Sequence, residues 1–123
     1  MSIVGFIDRM LRGKPPSDPA EVDRIVLRQL RSLGADLSLQ RHVRHFLYFQ
    51  VQSNAQRAVE EIERADYTTT ITPPSEEVPV WTVVAEGFRV IGPDTVAGFR
   101  AWFEQVASEC HGEYDGWEPA RSP

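Results

Sequence analysis

The stretch Gly112-Glu113-Tyr114-Asp115-Gly116-Trp117 is the most distinctive string in the sequence, with two aromatic residues, two acids and two glycines in six positions. Aromatic residues favour strands, and their alternation with acids is typical of a sheet edge that has one wet side. Glycine also permits backbone angles that other residues avoid. The stretch therefore predicts an edge strand, and the elements that precede it decide which sheet it completes.

A helix is predicted immediately before this strand. Asp94 or Thr95 is a suitable helix cap after the break at Gly92-Pro93. Apolar side chains then recur at intervals of three or four residues, which places them on one helical stripe that faces the core. This stripe consists of Val96, Phe99, Phe103, Val106, Ala107 and Cys110.

The range from His42 to Val51 alternates with a period of two, which predicts a strand. The more apolar set of side chains should face the core, and it consists of Val43, His45, Leu47, Phe49 and Val51. The opposite set consists of Arg44, Phe46, Tyr48 and Gln50, and its two aromatic residues look exposed. An uncovered aromatic sheet face is unusual for a monomer, so we expect the leading helix, residues 3–11 or a second subunit to cover it.

Between these elements the sequence predicts a second helix and a hairpin. Ser53 opens the helix, which has Ala55, Ala58, Val59 and Ile62 inward and Glu60, Glu61 and Glu63 outward. Residues 67–72 and 78–85 are rich in β-branched residues, and the acidic, proline-rich loop Pro73–Glu77 joins them as a hairpin. Gly87 is expected to end the second of these strands.

A leading helix is predicted over residues 19–33. Asp18 is a capping residue, Pro19 suits the first helical position and Glu21 adds an acid to the first turn. Helical spacing relates Val22, Ile25, Val26, Leu30 and Leu33, with Arg24, Arg28 and Arg31 on the wetter side and Gly34 as the C-terminal cap.

The order of elements decides the fold class. After the leading helix it reads strand, helix, strand, strand, helix, strand, which is the split βαβ, ferredoxin-like pattern. We therefore predict an α+β sandwich with a four-stranded antiparallel sheet in the order 4-1-3-2 and both core helices on one face. The closing strand 113–117 then lies beside the strand that carries His45, as an edge that can accept an added strand.

Length and composition are typical of one soluble globular domain, with 123 residues that are 41% hydrophobic and 25% charged. We divide the chain into an N-terminal amphipathic segment and linker (1–17), a domain (18–118) and a short tail (119–123). Within residues 3–11 the apolar side chains share one helical face, and basic residues follow. Such a segment docks on its own domain, on a twin subunit or on a membrane surface, so its role and the presence of a homodimer stay open.

Targeting features are not apparent in the sequence. The single cysteine excludes an internal disulfide, and no apolar run approaches the roughly 18 residues of a membrane span. The first ten residues lack the apolar core and cleavage site of a signal peptide. A cytoplasmic location is therefore expected.

The net charge of −5 is unevenly distributed, because residues 1–57 carry +4 and residues 58–123 carry −9. An acidic half disfavours binding to a phosphate backbone and favours a basic protein partner, although a solvated surface without a special role explains it equally well. The candidate partner-binding residues are acids of this half and one aromatic residue of the sheet, namely Glu60, Glu61, Glu63, Glu76, Glu77 and Phe46.

Metal binding is the first chemistry to consider, since His42, His45, Cys110 and His111 are candidate ligands. His42 and His45 are three apart on a strand and should point to opposite faces. Cys110 and His111 are adjacent and converge poorly, so no metal site is predicted. His45 is instead expected to be a core imidazole, hydrogen-bonded to Tyr114 or Asp115.

Catalysis has equally little support in the sequence. Cys110 lies on an inner helical stripe, where a buried thiol is normally inert. Glu113 and Asp115 have the chemistry of an acid and base pair, but nothing indicates a cleft beside them. Phosphate-binding loops and nucleophile motifs are missing. We therefore predict a non-enzymatic protein that needs no cofactor.

RNA-recognition modules share the predicted topology and stack bases on aromatic side chains of their sheets. Phe46, Tyr48 and Trp81 are candidates for such stacking. The strand with Trp81 lacks the basic and glycine-aromatic core of that motif, and the net charge is negative, so direct nucleic-acid binding is not expected. An RNA-binding module and a ferredoxin-like domain for an unrelated protein remain the alternatives.

Three motifs carry a resemblance to a known family: Gly34-Ala35-Asp36-Leu37, the strand sequence from Val43 to Phe49, and the closing Glu113-Tyr114-Asp115-Gly116-Trp117. Together they resemble the RraB family, the regulators of ribonuclease activity B, over roughly residues 20–118 and in the same order of elements. The signature residues implied by this resemblance are His45, Tyr48, Glu113, Tyr114, Asp115, Gly116 and Trp117.

The resemblance implies a ferredoxin-like, non-enzymatic protein. Better-known members of the family bind the bacterial endoribonuclease E and restrain it, which changes the decay of many transcripts. Those members carry a long acidic tail after the signature, whereas this sequence ends with residues 118–123 and adds the amphipathic segment 3–11. The resemblance thus implies a protein-binding regulator of RNA-decay machinery.

Overall fold

The computed structural model describes residues 19–34, 36 and 38–119. Their elements are α1 (Pro19–Ser32), β1 (Gln40–Phe49), α2 (Gln52–Arg64), β2 (Thr68–Thr72), β3 (Trp81–Val90), α3 (Pro93–Glu109) and β4 (Gly112–Pro119). The amphipathic segment 3–11, the linker before α1, the Asp18 cap and the tail after residue 119 lie outside the described residues, so the division of the chain at 17 and 118 stays a prediction.

The four strands form one antiparallel sheet in the order β2-β3-β1-β4. Read from the other side this is 4-1-3-2, which confirms the α+β fold class predicted from the element order. Helix α2 packs on β2 and β3, α3 packs on β4, and α1 packs on α3. The core therefore lies between the sheet and the helices α2 and α3, with α1 as an outer addition.

Strand β1 supplies the centre of the core, as its apolar alternation predicted. Val43, His45 and Leu47 are fully buried, and Phe49 is 1% exposed. Val51, which was assigned to the same face, is 50% exposed because β1 ends at Phe49 and Val51 is already the N-cap residue of α2. Helices α2 and α3 both begin earlier than predicted, after Val51 and Gly92, and neither has a side-chain cap.

The opposite face of β1 is covered where it carries aromatic residues. Phe46 is 9% exposed and Tyr48 is 2% exposed, and they form a second apolar cluster with Val80. Val78 and Val84 pack against this cluster. These aromatic residues are thus covered, as expected, but by Val78 and Val80 from the segment after β2, whereas the leading helix, one of the expected covers, packs on α3.

Strand β3 continues through Gly87, although the sequence pattern predicted an interruption there. Gly87 is paired with Val43 of β1, and a Cβ atom at this position would lie 2.9 Å from Cδ1 of Tyr67. Two residues further on, Arg89 donates from Nη2 to the carbonyls of Ala65 (3.1 Å) and Asp66 (3.3 Å). The glycine thus gives room for Tyr67, while the arginine satisfies carbonyl groups at the end of α2.

Strand β4 contains a bulge. Leu47 of β1 lies opposite Tyr114 and Phe46 lies opposite Gly116, so Asp115 is an extra residue in the pairing. A bulge shifts the alternation by one residue, so Tyr114 and Trp117 both reach the core although they are three positions apart. Gly116 has φ of +113°, a region that residues with a side chain rarely adopt.

Substitution of Gly116 by alanine should destabilise the protein by about 1–3 kcal/mol, because alanine is strained at this positive φ. Gly98, in the middle of α3, is the matched control. A Cβ atom there would meet nothing within 4 Å outside its own helix backbone, so Gly98→Ala should stabilise by about 1 kcal/mol. Urea unfolding of both variants measures these changes. Equal stability of the two variants would contradict a glycine-dependent bulge.

Candidate partner-binding surface

The buried side of α1 includes a carboxylate. Asp23 is 5% exposed and lies on the same side as Leu27 and Leu30. Ile25 and Leu33 belong to the apolar stripe predicted from the sequence, but they point outward, since they are 42% and 66% exposed. The buried stripe of α1 is therefore rotated relative to the stripe predicted from its aliphatic residues. The polar residue of the buried stripe, Asp23, was not identified from the sequence.

Asp23 connects α1 to α3 and β4. Its carboxylate accepts hydrogen bonds from Nε (2.5 Å) and Nη2 (2.7 Å) of Arg100, a bidentate pair. It also accepts one from Nε1 of Trp117 at 2.7 Å. Burial disfavours the charged guanidinium, but the hydrogen bonds and the charge of Asp23 outweigh this effect, so the pKa of Arg100 lies above its usual value.

His45 is hydrogen-bonded inside the core, as predicted. Its Nδ1 lies 2.8 Å from the hydroxyl of Tyr114, and its ring stacks on Phe103 at a centroid distance of 4.0 Å. Nε2 of this imidazole has no hydrogen-bond partner among the described residues. Burial, followed by the charges of Arg89 and Arg100, lowers the pKa of His45 to about 3, so the ring is neutral at pH 7.

The closing signature is turned mostly inward. Tyr114, Asp115 and Trp117 are all less than 10% exposed, and Asp115 accepts a hydrogen bond of 3.2 Å from the hydroxyl of Tyr48 on the other side of the sheet. Burial raises the pKa of Tyr114 well above its usual range. Glu113 is the exposed member of the signature. The signature residues thus join β4 to β1 on both faces of the sheet, and Trp117 joins β4 to α1.

The candidate metal ligands do not converge. His45 faces the core, whereas His42 lies on the opposite face with Nε2 3.6 Å from Oε1 of Glu86. Burial raises the pKa of the Cys110 thiol at the end of α3, which disfavours the reactive thiolate. No group of three or more potential ligands occurs in residues 19–34, 36 and 38–119.

The predicted partner-binding acids lie on two exposed segments that flank β2 along the chain. Glu60, Glu61 and Glu63 are on the outer side of α2, which packs on β2. The carboxylate of Glu63 accepts a hydrogen bond from the hydroxyl of Thr69 in β2 at 2.8 Å. The structure therefore brings Glu63 to one border of the sheet, while Glu61 pairs with Arg64 on the helix surface.

Glu76 and Glu77 occupy a turn after β2. Ser75 N–H donates to the Val78 carbonyl at 2.8 Å, and Val78 N–H donates to Oγ of Ser75 at 3.1 Å. These two hydrogen bonds leave both glutamates exposed at the tip of the turn. Phe46, the aromatic member of the predicted set, is instead buried beneath Val80, so its ring offers little surface to a partner.

Three exposed apolar residues near one end of the sheet were not predicted from the sequence. Leu39 (48% exposed), Phe88 (57%) and Val90 (39%) lie where the start of β1 pairs with the end of β3. An open cleft of about 700 Å³ adjoins Phe88 and is also lined by His42 and Glu86. The signal that identifies these residues is the continuation of β3 through Gly87, which places Phe88 and Val90 on the same face.

The fold and these contacts define a class of protein: a small α+β sandwich whose most distinctive side chains join its elements to one another. A family model supports a narrower assignment, since RraB, regulator of ribonuclease activity B, matches residues 20–118. The chain therefore belongs to the RraB family, whose description is that of a regulator. No curated protein sequence matches the chain. Within the part of the chain that the structure describes, no helix has the length and apolar character to span a membrane.

Replacement of Asp23 by alanine should cost about 3–5 kcal/mol of stability, because it leaves the buried Arg100 guanidinium with only the more exposed Glu104 and leaves Nε1 of Trp117 without its acceptor. The matched control is Glu21→Ala in the same helix, which removes an exposed pair with Arg24 and should cost less than about 1 kcal/mol. Urea unfolding measures both. Similar losses in the two variants would contradict the central role of the buried pair.

The stability of the protein should fall in mild acid because of His45. Its pKa is about 3 when folded, against a usual value of 6.5, so the unfolded chain binds this proton more tightly. The contribution is complete above about pH 6.5 and is lost as the pH falls toward 3, by about 2 kcal/mol at pH 5. Urea unfolding between pH 5 and 7.5 measures this loss. An NMR titration should show the His45 ring neutral at pH 5, and protonation there would contradict the assignment.

Proposed function

We propose that this protein is a non-enzymatic regulator that binds endoribonuclease E, or another protein of the RNA-decay machinery, and restrains its activity. The observation that carries the proposal is the family match over residues 20–118, which spans nearly all of the described fold. We place this activity in the cytoplasm, where such machinery acts on transcripts.

The inward orientation of the signature supports binding through other surfaces. Tyr114 and Trp117 make their hydrogen bonds to His45 and Asp23 inside the domain, so these groups cannot contact a partner without breaking the core. The exposed acids remain as candidates for recognition. Residues 19–119 carry a net charge of −7, which would attract a basic segment of the partner and speed the encounter.

A protein partner also suits the sheet face better than RNA does. Of the three candidates for base stacking, Phe46 and Tyr48 are buried, and Trp81 is half-buried against the main core. On the same face the guanidinium of Arg44 is paired with the carboxylate of Glu118, which reduces its availability to a phosphate. The negative net charge adds repulsion from the nucleic-acid backbone.

Purified endoribonuclease E provides the test of this proposal. The enzyme should be retained by the immobilised protein, and a saturating amount of the protein should slow cleavage of an RNA substrate severalfold. Binding should weaken as the salt concentration rises, because exposed charges contribute to it. Unchanged cleavage at saturating protein would remove endoribonuclease E as the target.

A titration of the RNA substrate separates enzyme binding from RNA sequestration. If the protein acts on the enzyme, the inhibitor concentration needed should follow the enzyme concentration. Inhibition that is relieved by excess RNA, together with a salt-sensitive gel shift of RNA alone, would instead favour an RNA-binding module.

A further inference from the structure

The two edges of the sheet differ in their ability to pair with another strand. Strand β4 carries the bulge at Asp115, the positive φ of Gly116 and a terminal proline, all of which interrupt regular pairing. Strand β2 pairs with β3 over five consecutive residues without a register shift. The sequence pattern favoured 113–117 as the edge that accepts a strand, but the bulge makes that edge a poor acceptor.

Strand β2 lacks the features that normally protect an edge. Its sequence Thr68-Thr69-Thr70-Ile71-Thr72 has no charge and no proline, and every residue is β-branched. Thr68, Thr70 and Thr72 are exposed, and Thr69 and Ile71 are half-buried. As the outermost strand, β2 has backbone N–H and C=O groups that are directed away from β3, and no further strand pairs with them among residues 19–34, 36 and 38–119.

We propose that β2 binds an extended, basic segment of the partner protein as a fifth strand of the sheet. This inference rests on the proposed function, because it assumes that the partner is a protein. Main-chain hydrogen bonds along about five residues would supply affinity, and side chains on alternating sides would supply specificity. The added strand would span about 17 Å.

The charge around β2 identifies the occupant. Residues 60–77, which enclose β2 in sequence, contain six acids and one base, Arg64. Glu63 already contacts Thr69 on the helix side of the strand, and Glu76 and Glu77 project from the turn that follows Thr72. A strand added at this edge would run between these two acidic groups, so lysine or arginine side chains would be favoured in it.

The pattern of burial further defines the segment. On the helix side its side chains would lie beside Thr69 and Ile71, which favours β-branched or basic residues next to the Glu63 carboxylate. On the other side they would lie beside Thr68, Thr70 and Thr72, which leave one flat, uncharged row. The expected occupant therefore has basic residues on the helix side and β-branched residues on the other side, so the two kinds alternate along its sequence.

Hydrogen–deuterium exchange of the full chain with endoribonuclease E tests the location. The amides of residues 68–72 should exchange more slowly in the complex, because the outward N–H groups gain acceptors, while those of β4 should change little. Binding of endoribonuclease E without protection of 68–72 would overturn the inference and leave the proposed function intact.

Matched variants test the contribution of the edge. Thr70→Lys places a cation on the exposed edge, where it repels a basic strand, and should weaken binding at least about tenfold. Thr95→Lys, on the exposed first turn of α3, introduces the same change elsewhere and should alter binding less than about twofold. Unfolding curves confirm that both variants fold, and equal affinities of the two would overturn the inference.

Charge reversal in the turn gives a second comparison. Glu76→Lys with Glu77→Lys should weaken binding of endoribonuclease E more than Asp94→Lys with Glu109→Lys on α3, although both pairs change the net charge equally. An equal effect of the two pairs would indicate general attraction by the net charge and would overturn the assignment to β2.

A peptide probe distinguishes failure of the inference from failure of the proposed function. If endoribonuclease E does not bind at all, a synthetic peptide of alternating arginine and valine should still protect residues 68–72 from exchange. A peptide of alternating glutamate and valine is its control. Absence of protection by the basic peptide at millimolar concentration, or equal protection by both peptides, would overturn the inference independently of the enzyme.

Discussion

The carboxylate of Asp23 is the contact on which the arrangement of this protein depends. It receives hydrogen bonds from an arginine of α3 and from the closing tryptophan of β4, so one buried side chain joins three elements that are distant in sequence. A buried charge is stable only when its partners are all present. The guanidinium of Arg100 also lies 5.4 Å from the centre of the Tyr114 ring, whose hydroxyl contacts His45. The outer helix and the central strand are thereby connected through β4.

The bulge in β4 makes this connection geometrically feasible. In a regular strand, side chains three positions apart point to opposite faces, and Tyr114 and Trp117 could not both reach the core. The extra residue, Asp115, corrects the alternation and turns its own carboxylate to the hydroxyl of Tyr48. One irregularity therefore allows a short segment to bind His45, Asp23 and Tyr48 at once, and Gly116 supplies the backbone angle that it requires.

The element order, the sheet order and the core position of His45 follow from periodicity, because these features depend on local patterns. Asp23 could not be identified in the same way, since an acid in the first part of a helix is usually a solvated residue that favours the helix dipole. Its burial depends on Arg100, which lies 77 positions away. The cover over Phe46 and Tyr48 was missed for a similar reason: it is formed with Val80, from a segment that the alternation predicted as part of a strand. The acidic residues around β2 were visible in the sequence, but their relation to an open edge required the register of the sheet.

The inequality of the two sheet edges also limits how copies of this chain can associate. A strand-adding molecule with two open edges can grow without end, since each addition creates a new acceptor. Here the bulge makes the β4 edge a poor acceptor, so each molecule can pair with another strand through one edge only, β2. Two copies that meet through β2 would complete an eight-stranded sheet with a bulged strand at either end, and growth would stop there. The irregular strand that secures the core is thus also an obstacle to open-ended strand addition.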